Sequence, residues 1–281
     1  TYTKRPFMMT DKIEELIQQF NPQPIRIPIN KCNLEEVIET LITQMFPICD
    51  CPDPSDIHEK LREAALILHS NLNALVGDKK ADEVIELFFR QFPLLQQRLY
   101  KDASCYLKAD PAAKSLEEVI LTYPGFYALC VHRVAHELHR NGVPLIARLF
   151  SEYAHSKVGI DIHPAAKIGK NLFMDHGTGI VIGETSEIGD NVKIYQGVTL
   201  GALYVEKKLS EVKRHPTVED NVVIYANATI LGGKTIVGHD SVIGGGAWLT
   251  RSVVPYSLVT NSIDVKIRMV RDFSDPYDFV I

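Results

Sequence analysis

Apolar positions along the chain follow two different periods. From the start to about residue 157 they recur at helical spacing. Leu34, Val37, Ile38, Leu41, Ile42 and Met45 form one stripe, the i, i+3, i+4, i+7 pattern of a helix buried on one side. Residues 61–76 and 84–92 behave alike. Further helices are expected over 129–140 and 145–155, divided by Gly142-Val143-Pro144. Asp56 and Ser115 each stand just before such a run, where a short polar side chain caps free backbone N–H groups.

From about residue 160 the period becomes six. Ile162, Ile168, Met174 and Ile180 fall on one frame. Ile182, Ile188, Ile194 and Leu200 form the next, then Val218, Ile224 and Ile230, then Leu231, Val237, Ile243 and Leu249. A six-residue repeat fits neither a helix nor a hairpin; it marks a parallel β-helix, here expected to be left-handed. Each hexad supplies a short strand and a corner, three hexads close a triangular coil, and the aliphatic residue points inward. Glycine follows seven of these residues, where a Cβ is expected to obstruct a tight corner. Four to five coils should stack at roughly 4.8 Å. The fold class is therefore α+β: a helical domain over 1–157, a β-helix over 158–258 and a tail over 259–281. The frame breaks once, over 202–214. That charged stretch cannot enter the prism and must be extruded as a loop, and such loops often carry sites.

Composition narrows the function without naming it. The chain of 281 residues is 46% hydrophobic and 23% charged, with a formal net charge of −5, a balance that disfavours nucleic acid as a partner. No apolar run reaches the length of a membrane span, and no secretory leader is evident at the first residues. Five cysteines, with Cys49 and Cys51 one residue apart, fit neither a redox pair nor a zinc knuckle. An odd count of this kind reads as reduced thiols, which predicts a cytoplasmic protein.

Two histidine segments flank the break, Asp175-His176-Gly177 and Arg214-His215-Pro216. Asp161 precedes His176 by 15 residues, three short of a coil, so the two are expected on adjacent coils within reach of a carboxylate–imidazole hydrogen bond. That pairing activates a hydroxyl at neutral pH: the base takes the proton and the carboxylate fixes its tautomer. Spacing alone serves equally for surface histidines on corners. His132, His136 and His139 share a helical face, but without HExxH spacing they read as packing rather than metal ligands. Gly244-Gly245-Gly246 lacks the context of a phosphate loop and reads as a β-helix corner.

The segments Asp161-Ile-His-Pro, Asp175-His-Gly-Thr-Gly-Ile-Val-Ile-Gly-Glu-Thr, Gln196-Gly-Val-Thr-Leu-Gly201 and Arg214-His-Pro resemble those of the serine acetyltransferases of cysteine biosynthesis. The resemblance is dense over 110–255. It implies acetyl transfer from acetyl-CoA, a co-substrate, to L-serine, without a metal. It implies His176 as general base, Asp161 as its orienting carboxylate, Asp110 and Asp175 as receptors for the serine ammonium, Arg214 for its carboxylate, and His215 near the reacting hydroxyl. It also implies a site shared between subunits of a homotrimer, or a dimer of trimers, and competitive inhibition by L-cysteine. Gly201 and the Ala202 amide would lie at the oxyanion, Ala226, Gly245 and Gly246 along the pantetheine groove, and Lys266 and Arg268 near the phosphates. A tail ending in Ile281 implies O-acetylserine sulfhydrylase as a partner. The chain departs from the family pattern at 202–213, near Gly233 and Lys234, and at 259–263. Two alternatives stay open: another acyltransferase of this repeat acting on a sugar or other alcohol, and a zinc lyase like the γ-class carbonic anhydrases, with His163, His176 and His215 as ligands. A non-catalytic trimeric scaffold is the bland third.

Overall fold

The computed structural model describes residues 11–23, 25, 27–47, 53–203 and 212–261. Cys49, Cys51, Lys266, Arg268 and Ile281 lie outside them. Among the described residues seven helices come first: α1 (Asp11–Gln19), α2 (Lys31–Met45), α3 (Pro54–Val76), α4 (Asp78–Ala109), α5 (Leu116–Thr122), α6 (Pro124–Arg140) and α7 (Pro144–Val158). Leu34, Val37, Ile38, Leu41 and Met45 of α2 are buried, as their spacing requires. Ser115 caps α5 by accepting from the Glu118 N–H. At α3 the cap is Asp53 rather than Asp56. Pro54 fits the first helical position, so the chain turns helical earlier and Asp56 falls in the first turn. Among the described residues no helix is long and apolar enough to cross a membrane, and Cys32, Cys105 and Cys130 are free thiols.

Among the described residues fourteen short parallel strands follow, in three sheets that form the faces of a prism. The first face stacks Asp161 under Val181, Thr199, Thr229 and Trp248. Successive steps are 20, 18, 30 and 19 residues, so the one long step holds the break in the repeat at 202–214, of which 204–211 lie outside the described residues, and five coils result. The second face stacks Ile168, Ile188, Val218 and Val237, and the third Met174, Ile194, Ile224 and Ile243. These aliphatic residues are buried inside the prism. One expected inward position fails. Ile230 points inward and its neighbour Leu231 faces outward, because the extra residue lies after this strand, where Gly232 adopts φ +100°.

The expected clash of a Cβ holds at these hexad glycines, but apart from Gly232 its source is not the backbone conformation of the corner. Gly169, Gly189 and Gly183 have ordinary φ; a Cβ on Gly169 would overlap the carbonyl of Gly189 on the next coil. Close stacking, not corner conformation, excludes the side chain. The left-handed corner positions fall largely to Asn171, Asn191, Asn221, Asn227 and Asp240, residue types that tolerate that region. Asn171, Asn191, Asn221 and Asp240 also form a side-chain ladder, each amide donating to the next oxygen at 2.8, 3.1 and 3.2 Å.

Coil one has no coil beneath it, and its unpaired backbone groups are met by the helices. Arg98 of α4 donates to the carbonyls of Ile168 and Gly169 at 2.7 and 3.0 Å. Arg133 of α6 donates to Gly169 at 2.9 Å and forms a buried ion pair with Asp102 at 2.6 Å. Asp102 in turn accepts from the Asn171 N–H at 2.8 Å, at the foot of the ladder. The buried Tyr106 hydroxyl accepts from the Met174 N–H at 3.1 Å.

Candidate functional site

Two polar clusters occupy the two corners that flank the first face. At the third-to-first corner, the strand Phe173–Asp175 ends and His176 takes φ +56°, followed by Gly177 and Gly179 in the same left-handed region. The turn is two residues longer than a regular corner, which throws the His176 ring outward; it is largely exposed, with Nε2 3.9 Å from Asp175 Oδ1. Asp110, the residue that ends α4, approaches from the helical side. Its Oδ1 accepts from the Ala112 N–H at 2.8 Å and its Oδ2 from the Tyr123 hydroxyl at 2.6 Å. The Tyr123 bond first and the Ala112 bond second hold the Asp110 carboxyl below its ordinary pKa, with nearby His176 adding to them. The corner thus gathers two carboxylates and an imidazole on one exposed edge.

Asp161 opens the coil that His176 closes, so the pair belongs to one coil rather than to adjacent ones. Val181, stacked on Asp161, comes five residues after His176. Among the described residues no hydrogen bond or ion pair joins Asp161 to His176.

At the first-to-second corner the His215 ring lies across Gly183 and fills the space that a side chain there would need. His215 Nδ1 accepts from the Thr185 N–H at 3.0 Å, with the Thr185 hydroxyl 2.9 Å away. An accepting Nδ1 puts the imidazole proton on Nε2. Burial, reinforced by Arg214, pushes the His215 pKa down to about 4, so the ring is neutral near pH 7. Arg214 pairs with Glu184; burial acts to raise the Glu184 carboxyl, but Arg214 together with His163 and His215 holds it below its ordinary pKa. His163 stands on the coil below, its pKa likewise pushed down to about 4, chiefly by burial. Gly201 and Ala202 follow at the same corner one coil above Gly183.

Small residues rise from the His176 corner. Gly197 donates to Thr178, Asn227 to Gln196 and Gly246 to Ala226, at 3.0, 2.9 and 2.9 Å. Ala226, Gly245 and Gly246 therefore stand two and three coils above His176, roughly 10–14 Å away at the usual strand spacing. Beside them Tyr195 and Tyr225 stack with ring centroids 5.0 Å apart.

Within one chain, then, Asp110, Asp175, His176 and the small-residue column come together on one corner, and Arg214 and His215 on another. His132 and His136 pack against each other with ring centroids 5.6 Å apart, and His136 bonds the Pro164 carbonyl, in keeping with packing. Sequence reasoning missed Tyr123, Glu184 and Thr185. The last two directly follow Gly183 and carried a signal in that position; Tyr123 is joined to Asp110 only by the fold.

No family model matches the chain. A curated relative, "Serine acetyltransferase, plasmid" of Synechococcus elongatus, is 48% identical over 192 residues, which are 66% of this chain and 60% of that protein. The serine acetyltransferase of Staphylococcus epidermidis is 47% identical over 163 residues, 58% of this chain and 74% of that protein. Among solved structures, isoform 3 of serine acetyltransferase from Entamoeba histolytica, in complex with cysteine, superposes with a TM-score of 0.77 at 32% identity over 92% of both chains. The Neisseria gonorrhoeae serine acetyltransferase in complex with serine gives 0.57 at 29% identity, covering 84% of this chain and 96% of that one. The chain is thus alike in fold over 92% of its length to one serine acetyltransferase and 47% identical to another that it covers to 74%, and it belongs to the serine acetyltransferases.

Proposed function

We propose that the chain transfers the acetyl group of acetyl-CoA to the hydroxyl of L-serine, in a site completed by a neighbouring copy. The observation that carries this is the splitting of the polar groups between two corners of one face. The outward residues of that face above Asp161 are Val181, Thr199, Thr229 and Trp248, with no charge among them. The second face carries the Lys167–Glu187 pair, and the foot of the third is covered by helix α4. Three prisms with their first faces toward a common axis would set the His176 corner of each copy beside the His215 corner of the next. A homotrimer is therefore the proposed minimum unit.

In such a site Asp110 and Asp175 would receive the serine ammonium, and Arg214 from the neighbour its carboxylate. His176 would take the hydroxyl proton as the oxygen attacks the thioester carbonyl. The protonated imidazole would then return that proton to the departing CoA sulfur, leaving O-acetyl-L-serine and free CoA. Neutral His215, with its proton on Nε2, suits a donor near the reacting oxygen and not a second base. Asp161 is assigned as the carboxylate that orients His176. Catalytic hydrogen bonds often tighten only in the substrate complex, and the exposed His176 ring is free to turn. The Ala202 amide would face the oxyanion, and the column of Ala226, Gly245 and Gly246 would let pantetheine lie against the backbone. Cysteine differs from serine by one atom, so the same receptors should bind it; the E. histolytica structure holds cysteine. The free thiols suit a reducing, cytoplasmic setting.

The test follows release of the free CoA thiol from acetyl-CoA with serine, homoserine, a galactoside or no acceptor. Release that depends on serine and is inhibited by cysteine in competition with serine supports the reading; preference for a galactoside overturns it.

A further inference from the structure

Asp110 and Asp175 come from different parts of the fold, one from the end of α4 and the other from coil one, yet both face His176. Two tyrosines lie between them. Tyr123 precedes α6, with its hydroxyl on Asp110 Oδ2 at 2.6 Å and its ring edge-on to Tyr106, centroids 6.0 Å apart. Tyr106 is wholly buried, packs on Phe173 and Phe126, and accepts from the N–H of Met174, the residue before Asp175. Gly125, two residues after Tyr123, lies against the Met174 carbonyl so closely that a Cβ would meet Met174 Cβ at 3.0 Å. One carboxylate is thereby referenced to the other through a continuous packed path.

We infer that Tyr123 is a positioning residue for the acceptor amino acid, fixing the Asp110 carboxylate at a set place relative to Asp175. This rests on the proposed role of Asp110 as an ammonium receptor. The bond geometry supports it. A carboxylate offers about four acceptor positions; Tyr123 takes one on Oδ2 and the Ala112 N–H one on Oδ1, which fixes the carboxylate plane and leaves one on each oxygen for a ligand. The phenol is a reliable donor, because its bond to Asp110 first, then burial and the charges of Asp110, Glu118 and Asp175, push its pKa up to about 12. Lys114 and the His176 imidazole lie near Asp110, and among the described residues no hydrogen bond or ion pair joins either to it. Without the hydroxyl the carboxylate could turn away from Asp175 while the fold stayed intact.

Tyr123→Phe keeps the ring and its edge-on packing and removes only the hydroxyl. Its KM for serine should rise about tenfold, in line with a hydrogen bond to a charged group. The cysteine inhibition constant should rise by a similar factor, while kcat stays within about twofold and KM for acetyl-CoA is unchanged. In the Asp110→Asn background, where the charged acceptor is already lost, adding Tyr123→Phe should have little further effect on serine KM. A drop in kcat at unchanged serine KM, or full additivity of the two substitutions, overturns the positioning role. If Asp110→Asn raises serine KM and Tyr123→Phe does not, the inference fails while the assignment of Asp110 stands. If Asp110→Asn itself leaves serine KM unchanged, that assignment fails and the inference with it.

Discussion

Gly183→Ala provides a sharp test of the His215 corner, because it adds one methyl group against the ring to which the proposed function gives a donor role. The new Cβ would lie 2.7 Å from His215 Cγ and overlap Cδ2 and Nε2 outright, whereas real Cβ contacts essentially never fall below 3.0 Å. The ring must retreat by about 1 Å. Its freedom to do so is limited, since Nδ1 is held by the Thr185 N–H at 3.0 Å and the Thr185 hydroxyl takes the Arg214 and His215 backbone N–H groups at 2.9 and 3.0 Å. Gly183 has ordinary backbone torsions, so alanine carries no conformational penalty of its own. The cost should therefore fall on catalysis. A displacement of about 1 Å in a reacting constellation can cost on the order of 100-fold, and that is the expected fall in kcat/KM for serine. The assay is CoA release over a range of serine concentrations, with acetyl-CoA binding and thermal unfolding measured alongside. Gly183→Ala combined with His215→Ala should be no slower than His215→Ala alone, because the smaller side chain removes the collision. Gly183→Ala with activity within about threefold of the parent would refute the placement of His215 over Gly183.

Three further outcomes follow. His176→Ala should lower kcat by roughly 10²–10⁴-fold with acetyl-CoA affinity nearly intact, and an enzyme that keeps most of its turnover removes His176 as the base. Arg133→Met leaves Asp102 buried and unpaired, which should cost about 3–5 kcal/mol in urea unfolding at fixed protein concentration; a loss below about 1 kcal/mol contradicts the capping role. Burial keeps His132 and His136 below their ordinary pKa and pushes His163 and His215 down to about 4. The unfolded chain binds protons at these residues near pH 6.5 and the folded one does not, so stability is full above about pH 6.5 and falls as the pH drops toward 4. Carboxylates titrate mainly below pH 5, so a urea midpoint unchanged between pH 7 and 5 contradicts the neutral burial of these histidines.

The prism was legible because a six-residue period admits few structures, and its inward residues were named almost without error. Leu231 was the exception, since an extra residue cannot be located within a degenerate Thr-Ile-Leu run from spacing alone. The helices were readable from their stripes, but the Asp53 cap was hidden behind a second aspartate three residues on. Stacking distances between coils are invisible in one dimension, so the clash expected at the glycines could not be traced to the next coil, and the asparagines that hold the left-handed corners were not picked out. His176 and His215 could be picked out beside the break in the repeat. Their separation onto two corners follows from the phase of the hexads on either side of that break, whereas the link from Tyr123 to Asp110 depends on how α5 and α6 turn back, which no local pattern encodes.

The capped foot of the prism has a consequence beyond local stability. A stack of parallel coils ends in unpaired strand edges that would accept another stack. Here Arg98, Arg133 and Tyr106 meet the backbone groups of Ile168, Gly169 and Met174 before another molecule can. The helical domain thus acts as a stopper against end-to-end polymerisation as well as a platform for Asp110. The β-helix expressed by itself would present that edge bare, with the strand spacing and direction from which fibrils grow.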